Sequence, residues 1–273
     1  MKETNRLSER TEETERSEID YMLDRMEAIR ERPGNPEGVE IARIGGAICF
    51  YSKTMPWATF NTVKGLRSGD ADALADIVDF YRTRGRKPQF ELVPGLADQN
   101  LMKRLDELGF YQSGFHTSMA ITAGNSDAVP YGPAADKLEV RPLREDEFEL
   151  YATVHCRGTG LPDSGIAPVA ANNRVLHGRP GWRFYVALWE GRPAGVGVSY
   201  AGKGAASLTF AATLPEWRGR GIQSALLRRR IEDAFAEGCG LVVGQCAFRS
   251  QSHRNMERAG MRIGYVRASW NER

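Results

Sequence analysis

This sequence lacks most of the signals that mark the familiar chemistries. Its four cysteines, Cys49, Cys156, Cys239 and Cys246, show no Cys-x-x-Cys spacing, and its four histidines form no paired pattern. Zinc and iron–sulfur sites need such spacing, so no metal is expected. The cysteines read as reduced core thiols of a cytoplasmic protein. No apolar run is long enough to cross a bilayer, and the first residues are charged rather than signal-like, so no membrane partner is expected. Cations barely exceed anions: 37 Lys and Arg stand against 35 Asp and Glu, a net charge of +2. That is too slight a balance to argue for nucleic acid. The familiar phosphate motifs are missing as well. No lysine follows the glycine-rich turn near residue 220, which excludes a P-loop. Ser224 stands where a dinucleotide fingerprint needs its third glycine.

What is present is organised around Ser207–Leu227, SLTFAATLPEWRGRGIQSALL. Ser207–Leu214 is apolar and β-branched enough for a buried strand, and Pro215 ends it because proline cannot donate to a ladder. Gly219 and Gly221 allow a tight turn with its N–H groups outward. A helix is expected from near Ile222, with Leu226, Leu227, Ile231, Ala234 and Phe235 on its apolar side. Unpaired N–H groups and the helix dipole make such a corner an anion site. The alternative is an ordinary strand–turn–helix corner, which two glycines and two arginines in six residues argue against. The segment Arg218-Gly219-Arg220-Gly221-Ile222-Gln223 resembles the Arg-x-x-Gly-x-Gly/Ala loop of the GNAT acyl-CoA N-acyltransferases, with Gln223 departing from the small residue usual at its end. The resemblance implies that this loop cradles the pyrophosphate of coenzyme A, with N–H groups offered by Gly219, Arg220, Gly221, Gln223 and Ser224.

The chain is long enough for two α/β domains. Residues 1–20 are polar and glutamate-rich and read as a frayed lead-in or a solvated helix. Ile19, Met22, Met26 and Ile29 then have helical spacing, stopped by Pro33-Gly34, with the methionines in a core. Strands are expected at Val39–Ile44, Ala47–Tyr51, Ala58–Val63 and Gln89–Val93, with one or two more in Phe110–Ile121. Helices are expected around Leu74–Tyr81 and Leu101–Leu108. The second half repeats the order: a strand at Leu138–Leu143, a helix through His155, a long loop, a hairpin of Phe184–Trp189 and Ala194–Tyr200, the central strand and helix, a strand at Leu241–Cys246, a helix at Ser252–Ala259 and a closing strand at Met261–Ser269. LMKRLDELGF at Leu101–Phe110 and SHRNMERAGM at Ser252–Met261 occupy matching places, which suggests two copies of one fold. Residues 123–137 have the composition of a linker. The expectation is an α/β protein with a mixed sheet in two tandem GNAT-like domains, 1–122 and 138–273. The first has Phe60-Asn61-Thr62-Val63-Lys64-Gly65 where the coenzyme loop should be, and is read as degenerate. This pattern resembles tandem GNAT proteins of bacteria in which only the second copy keeps the loop.

The resemblance further implies acetyl-CoA as co-substrate and the amine of a small molecule as acceptor. Such an amine is mostly protonated at pH 7, a deficit of about 4–5 kcal/mol that a base or water chain must overcome. Backbone N–H groups at Ala211, Ala212 and Thr213, in a strand that splays from its neighbour, would stabilise charge on the acyl oxygen. Family alignment puts Met256 where many members carry a tyrosine acid, and a thiol of pKa about 8.5 needs only about 2 kcal/mol to leave ionised. His155, below Phe148 and Tyr151 on one helix face, is the candidate base, against a packed or exposed helix histidine as the plain alternative. Ser252 and Asn255 read either as coenzyme contacts or as caps, His253 as a helix-start residue and Glu216 as solvated. Arg157, Arg174, Arg179 and Arg183 in Cys156–Arg183 form either a solvated basic loop or a lid that favours an anionic acceptor. The expected function is therefore an acyl-CoA-dependent N-acetyltransferase. A non-catalytic coenzyme A-binding module or sensor is the main alternative, and another acyl-CoA reaction on the same fold a third.

Overall fold

The computed structural model describes residues 2–124 and 135–273, so most of the 123–137 linker lies outside the described residues. In chain order the elements are α1 (Lys2–Arg30), β1 (Val39–Ile44), β2 (Ala47–Ser52), β3 (Thr62–Lys64), α2 (Leu74–Arg82), β4 (Gln89–Leu92), α3 (Gln99–Glu107) and β5 (Phe110–Thr122). There follow β6 (Leu138–Pro142), α4 (Phe148–Thr159), α5 (Ile166–Arg174), β7 (Trp182–Trp189), β8 (Arg192–Gly202), β9 (Ala205–Thr213), α6 (Ile222–Ala236), β10 (Leu241–Cys246), α7 (Gln251–Arg258) and β11 (Arg262–Glu272). The chain divides into two compact units, Met1–Ser118 with Ile263–Arg273, and Met119–Arg262. The division expected at 123–137 leaves β11 with the second half, whereas its contacts place it in the first unit.

In the first unit the strand order is β1-β2-β3-β4-β11, then β5. β11 runs antiparallel to β4, pairing Ala268 with Leu92 and Trp270 with Phe90. Leu74, Ile77, Val78 and Tyr81 of α2 and Leu101 and Leu105 of α3 lie three and four apart. They bury one stripe against Phe90, Phe110 and Trp270. The fully buried Tyr81 hydroxyl donates to the carbonyls of Phe50 (2.7 Å) and Thr62 (3.1 Å), so no polar group is left unpaired there. The strand expected over Ala58–Val63 is shorter, because Ala58–Phe60 forms a 3₁₀ turn. Asn61 imposes it: its Nδ2 donates to Met55 O (2.8 Å) and Trp57 O (3.1 Å), and its Oδ1 accepts from Ser52 N (3.1 Å).

The glutamate-rich start is helical, as one of the two alternatives had it, but the helix is not solvated on every side. It belongs to α1, and Glu15 and Glu18 are buried. They continue the stripe of Met22, Met26 and Ile29 at helical spacing, but face charges instead of hydrocarbon. Arg67 lies 2.7 Å from Glu15, Arg267 pairs with Glu18 and, at 3.1 Å, with Glu91, and Lys64 pairs with Glu91. Three carboxylates thus meet three cations inside one unit. Burial of such charges is tolerable only because each is paired.

The second unit is ordered β10-β9-β8-β7-β6, beginning from the last residues of β5. β6 to β9 are antiparallel, and β10 runs parallel to β9. Leu227, Ile231 and Ala234 of α6 pack with Val242 and Met256 in its core. All four cysteines of the chain are buried and unpaired. Ile166–Arg174, expected as loop, is the helix α5. Its Pro168 sits in the first turn, where a helix has no need of that N–H.

Candidate active site

β9 carries the site because it stops pairing on one side before it ends. Its parallel ladder with β10 runs from Ala205–Leu241 to Leu208–Gly244, while β9 itself continues to Thr213. On the other side it stays attached to β8, but Val196 pairs with Ala212 and Val198 with Thr209. Two residues of β9 therefore oppose Gly197, a bulge, and Phe210 takes a left-handed φ of 46°. The consequence is a segment, Ala211–Thr213, whose side toward β10 is open.

The chain then leaves β9 through a 3₁₀ turn at Pro215–Trp217 and reaches α6 through two left-handed glycines, Gly219 (φ 77°) and Gly221 (φ 81°). Gly221 is the N-cap of α6, and nothing lies within 4 Å of where a Cβ would stand on either glycine. The first N–H groups of a helix have no partner inside it, so the amides of Ile222, Gln223 and Ser224 point out of the helix start. Arg218 anchors the turn by donating from Nη2 to Gly158 O (2.9 Å), a carbonyl at the negative end of α4.

These elements enclose one cavity of about 720 Å³. Ala211, Ala212, Thr213, Arg218, Gly219, Gly221, Ile222, Gln223, Ser224 and Asn255 all line it, so the structure brings these candidate residues together. Among the described residues the lining holds Arg218 and Arg258 and no carboxylate, which suits a ligand carrying phosphates. The open space over Gly219 and Gly221, next to the amides of the helix start, leaves room for an anion. Arg220 is elsewhere: its guanidinium stacks over Trp189 (5.3 Å) and Trp217 (5.0 Å).

Gln223, the departure from the family loop, has a structural use. Its Nε2 donates to Ser252 Oγ (2.6 Å) and its Oε1 accepts from Asn255 Nδ2 (2.5 Å), joining α6 to α7 along the cavity wall. Gln251 and Arg258 donate to Asn255 Oδ1 at 2.9 and 3.2 Å, which fixes the amide network. The cap of α7 is Ser250, whose Oγ accepts from His253 N (3.1 Å), so Ser252 and Asn255 serve the cavity wall and not the helix start. Removing a bridging amide loses about 1 kcal/mol of ordered geometry. Gln223→Ala is expected to weaken acetyl-CoA binding by about three- to tenfold, read by calorimetry. Unchanged affinity would mean the bridge is irrelevant to the ligand.

His155 does not line the cavity. Its ring stacks on Tyr151 (5.8 Å, 14° between planes), and it lies one turn before Gly158, which does line it. Met256 is buried in the core and also off the lining. Of the arginines read either as a solvated basic loop or as a lid, Arg157 is held bidentately by Asp163 (3.1 and 2.9 Å), Arg183 pairs with Glu237, and Arg174 lies over the Phe148 ring. The segment is thus less positive than its composition suggests. Among the described residues no group of His, Cys, Asp and Glu could hold a metal ion, and no helix is long and apolar enough to cross a membrane.

The model of the acetyltransferase (GNAT) family matches residues 145–261, the stretch that contains every cavity-lining residue. No curated protein matches the sequence. Among solved structures, a GCN5-related N-acetyltransferase from Kribbella flavida is similar over 91% of this chain and 95% of its own, at 14% identity and a TM-score of 0.65. A GCN5-related N-acetyltransferase from Sphaerobacter thermophilus covers 77% of this chain and 72% of its own, at 16% identity and a TM-score of 0.59. A tandem GNAT protein from the clavulanic acid biosynthesis pathway covers 77% of this chain and 74% of its own, at 17% identity and a TM-score of 0.52. Residues 145–261 thus match the acetyltransferase (GNAT) family model, within a chain whose fold is similar to that of a tandem GNAT protein.

Proposed function

We propose that the second unit transfers an acyl group, acetyl in the simplest case, from an acyl-CoA to the amine of a small molecule. One observation carries the reading: a single cavity joins the outward amides of the glycine turn to the open edge of β9. Coenzyme A would supply the activated thioester. The amides at the start of α6, with Arg218 and Arg258 nearby, would bind its pyrophosphate, and Ala211–Thr213 would present N–H groups to the acyl oxygen. His155 is the proposed base: Gly158, three residues further along α4, reaches the cavity, so one face of that helix leads from the histidine to the site. Loss of the lower limb of the pH–rate profile in His155→Gln would support this, and an unaltered profile would remove it. The acceptor is read as a small amine. An anionic one has less support than the composition of 156–183 implies, since Arg157 and Arg183 already have carboxylate partners.

The second reading, a coenzyme A-binding module without turnover, is favoured by Met256 lying in the core where a proton donor is usual. Calorimetry with acetyl-CoA followed by detection of free thiol across a panel of amines separates the two. Binding with thiol release by some amine establishes the transferase; binding with none across the panel supports the module; no binding refutes both.

A further inference from the structure

Arg230 stands in the middle of α6 and is only 3% exposed, a cation buried in a β-sheet core. Among the described residues it makes no ion pair. Its Nε donates to Leu226 O (2.9 Å), one turn back on its own helix. Its Nη1 donates to Val198 O (3.0 Å) and Thr209 O (3.3 Å). Val198 and Thr209 are the pair at which β8 and β9 resume register after the bulge. The guanidinium therefore grips both strands at the mouth of the distortion. Gly197, the residue opposite the bulge, leaves it room: a Cβ there would stand 3.0 Å from Arg230 Cζ. On its other side β9 loses β10 after Leu208, one residue before Thr209. Bulge, guanidinium and strand opening coincide at one point.

Burial is unfavourable for this charge and draws its pKa down to about 10, so the side chain is still protonated at neutral pH. A leucine or methionine at a helix position facing a sheet would pack without that penalty. A cation that three carbonyls must satisfy is explained if the carbonyls are what needs holding. Fixed donors across a bulge also oppose its relaxation into a regular ladder, in which Ala211–Thr213 would turn by one residue and lose their orientation.

We infer that Arg230 is a positioning residue for acyl transfer: by bridging the carbonyls of Val198 and Thr209 it holds the bulge that presents Ala211–Thr213 to the acyl group. The inference rests on the acyl-CoA reading of the cavity. It makes Arg230 matter to the acyl and pantetheine end of the ligand, and not to the pyrophosphate end at Gly219–Ser224.

Two probes separate the ends. Acetyl-CoA spans both, whereas adenosine 3′-phosphate 5′-diphosphate keeps the pyrophosphate and lacks the pantetheine and thioester. For Arg230→Met the expected calorimetric result is about tenfold weaker acetyl-CoA binding with nucleotide affinity within about twofold of wild type. Arg230→Lys should recover part of the loss. Amide hydrogen exchange should quicken at Phe210–Thr213 while the first turn of α6 keeps its protection. Should Arg230→Met fail to fold, Gly197→Ala, which crowds the guanidinium, and Arg230→Lys carry the same comparison. Equal losses for both probes, or exchange that rises throughout the second unit, would show ordinary core damage and overturn the proposal. So would unchanged binding of both by a folded Arg230→Met. Wild-type protein that binds neither probe would reject the acyl-CoA reading, and the exchange pattern at Phe210–Thr213 would then decide the role of Arg230 at the bulge by itself.

Discussion

Gly221→Asp should bind acetyl-CoA at least about 100-fold more weakly than the wild type, a change of about 2.7 kcal/mol, while unfolding at nearly the same temperature. The two halves of this expectation have separate causes. Gly221 sits at φ 81° with nothing within 4 Å of its missing Cβ, so the Cβ of an aspartate fits and the left-handed strain is the main cost to the fold. That strain is about 1–2 kcal/mol and is smallest for Asn and Asp. At the helix start the new carboxylate also meets the positive end of the helix dipole, which returns about 0.3–1 kcal/mol. Stability is thus nearly balanced. Binding is not, because the same carboxylate sets a negative charge beside the amides proposed to bind the pyrophosphate. Gly221→Ala is the control: it carries the strain without the charge and should lose far less affinity. Equal affinity in Gly221→Asp and wild type, measured by calorimetry alongside a thermal melt, would remove the coenzyme reading of the turn.

The second large effect is expected in the first unit, at Glu91. Burial pushes its carboxyl up, but Lys64 and Arg267 outweigh burial and hold it at about 2. A carboxyl whose pKa is lowered by folding stabilises the fold fully above its unfolded value, 4.5, and loses that contribution as the pH falls from there towards 2. The shift corresponds to about 3 kcal/mol. This is an upper bound, since the side chain keeps 13% of its exposure. Denaturant midpoints of the first unit should fall steeply between pH 5 and 3 in the wild type. Trp270, which belongs to that core, is the natural fluorophore. Glu91→Ala removes the anion and leaves two buried cations short of charge, with an expected loss of about 3–5 kcal/mol at pH 7. Glu91→Gln should flatten the acid dependence. Stability that holds steady down to pH 3, or a Glu91→Ala as robust as wild type, would show that the cluster is not electrostatically organised.

The sequence is most legible where structure is local. A largely apolar run, a proline stop, two glycines and an apolar helix face sit within about thirty residues, and each feature acts on its neighbours. The result is that the β9–α6 corner and its lining residues stand where they are expected. Legibility fails where the decisive partner is distant. Glu15 and Glu18 read as solvated because acidic helix residues usually are, and what buries them is Arg67 and an Arg267 lying 249 positions away. Arg230 lies in a run of three arginines on a helix and carries no local mark. Only Gly197 and Gly195, two glycines alternating with valines in β8, hint that something large presses on that strand; a Cβ at Gly195 would stand 2.7 Å from Ile222 Cγ2. Ile166–Arg174 was hidden by Pro168, a breaker everywhere except in the turn it occupies. The cap of α7 was displaced by two residues because Ser250 and Ser252 are equally good candidates until the helix start is fixed.

The placement of β11 bears on how the protein is made. This strand is translated after the whole of Met119–Arg262, yet it contributes Trp270 to the first unit's core and supplies the antiparallel neighbour of β4. During synthesis the first unit therefore waits with a gap in its sheet, exposing one edge of β4, while the second unit can already fold. The part of the chain that leaves the ribosome first is the part that finishes second. A split of this protein into separately expressed halves would have to carry residues 263–273 with the N-terminal piece.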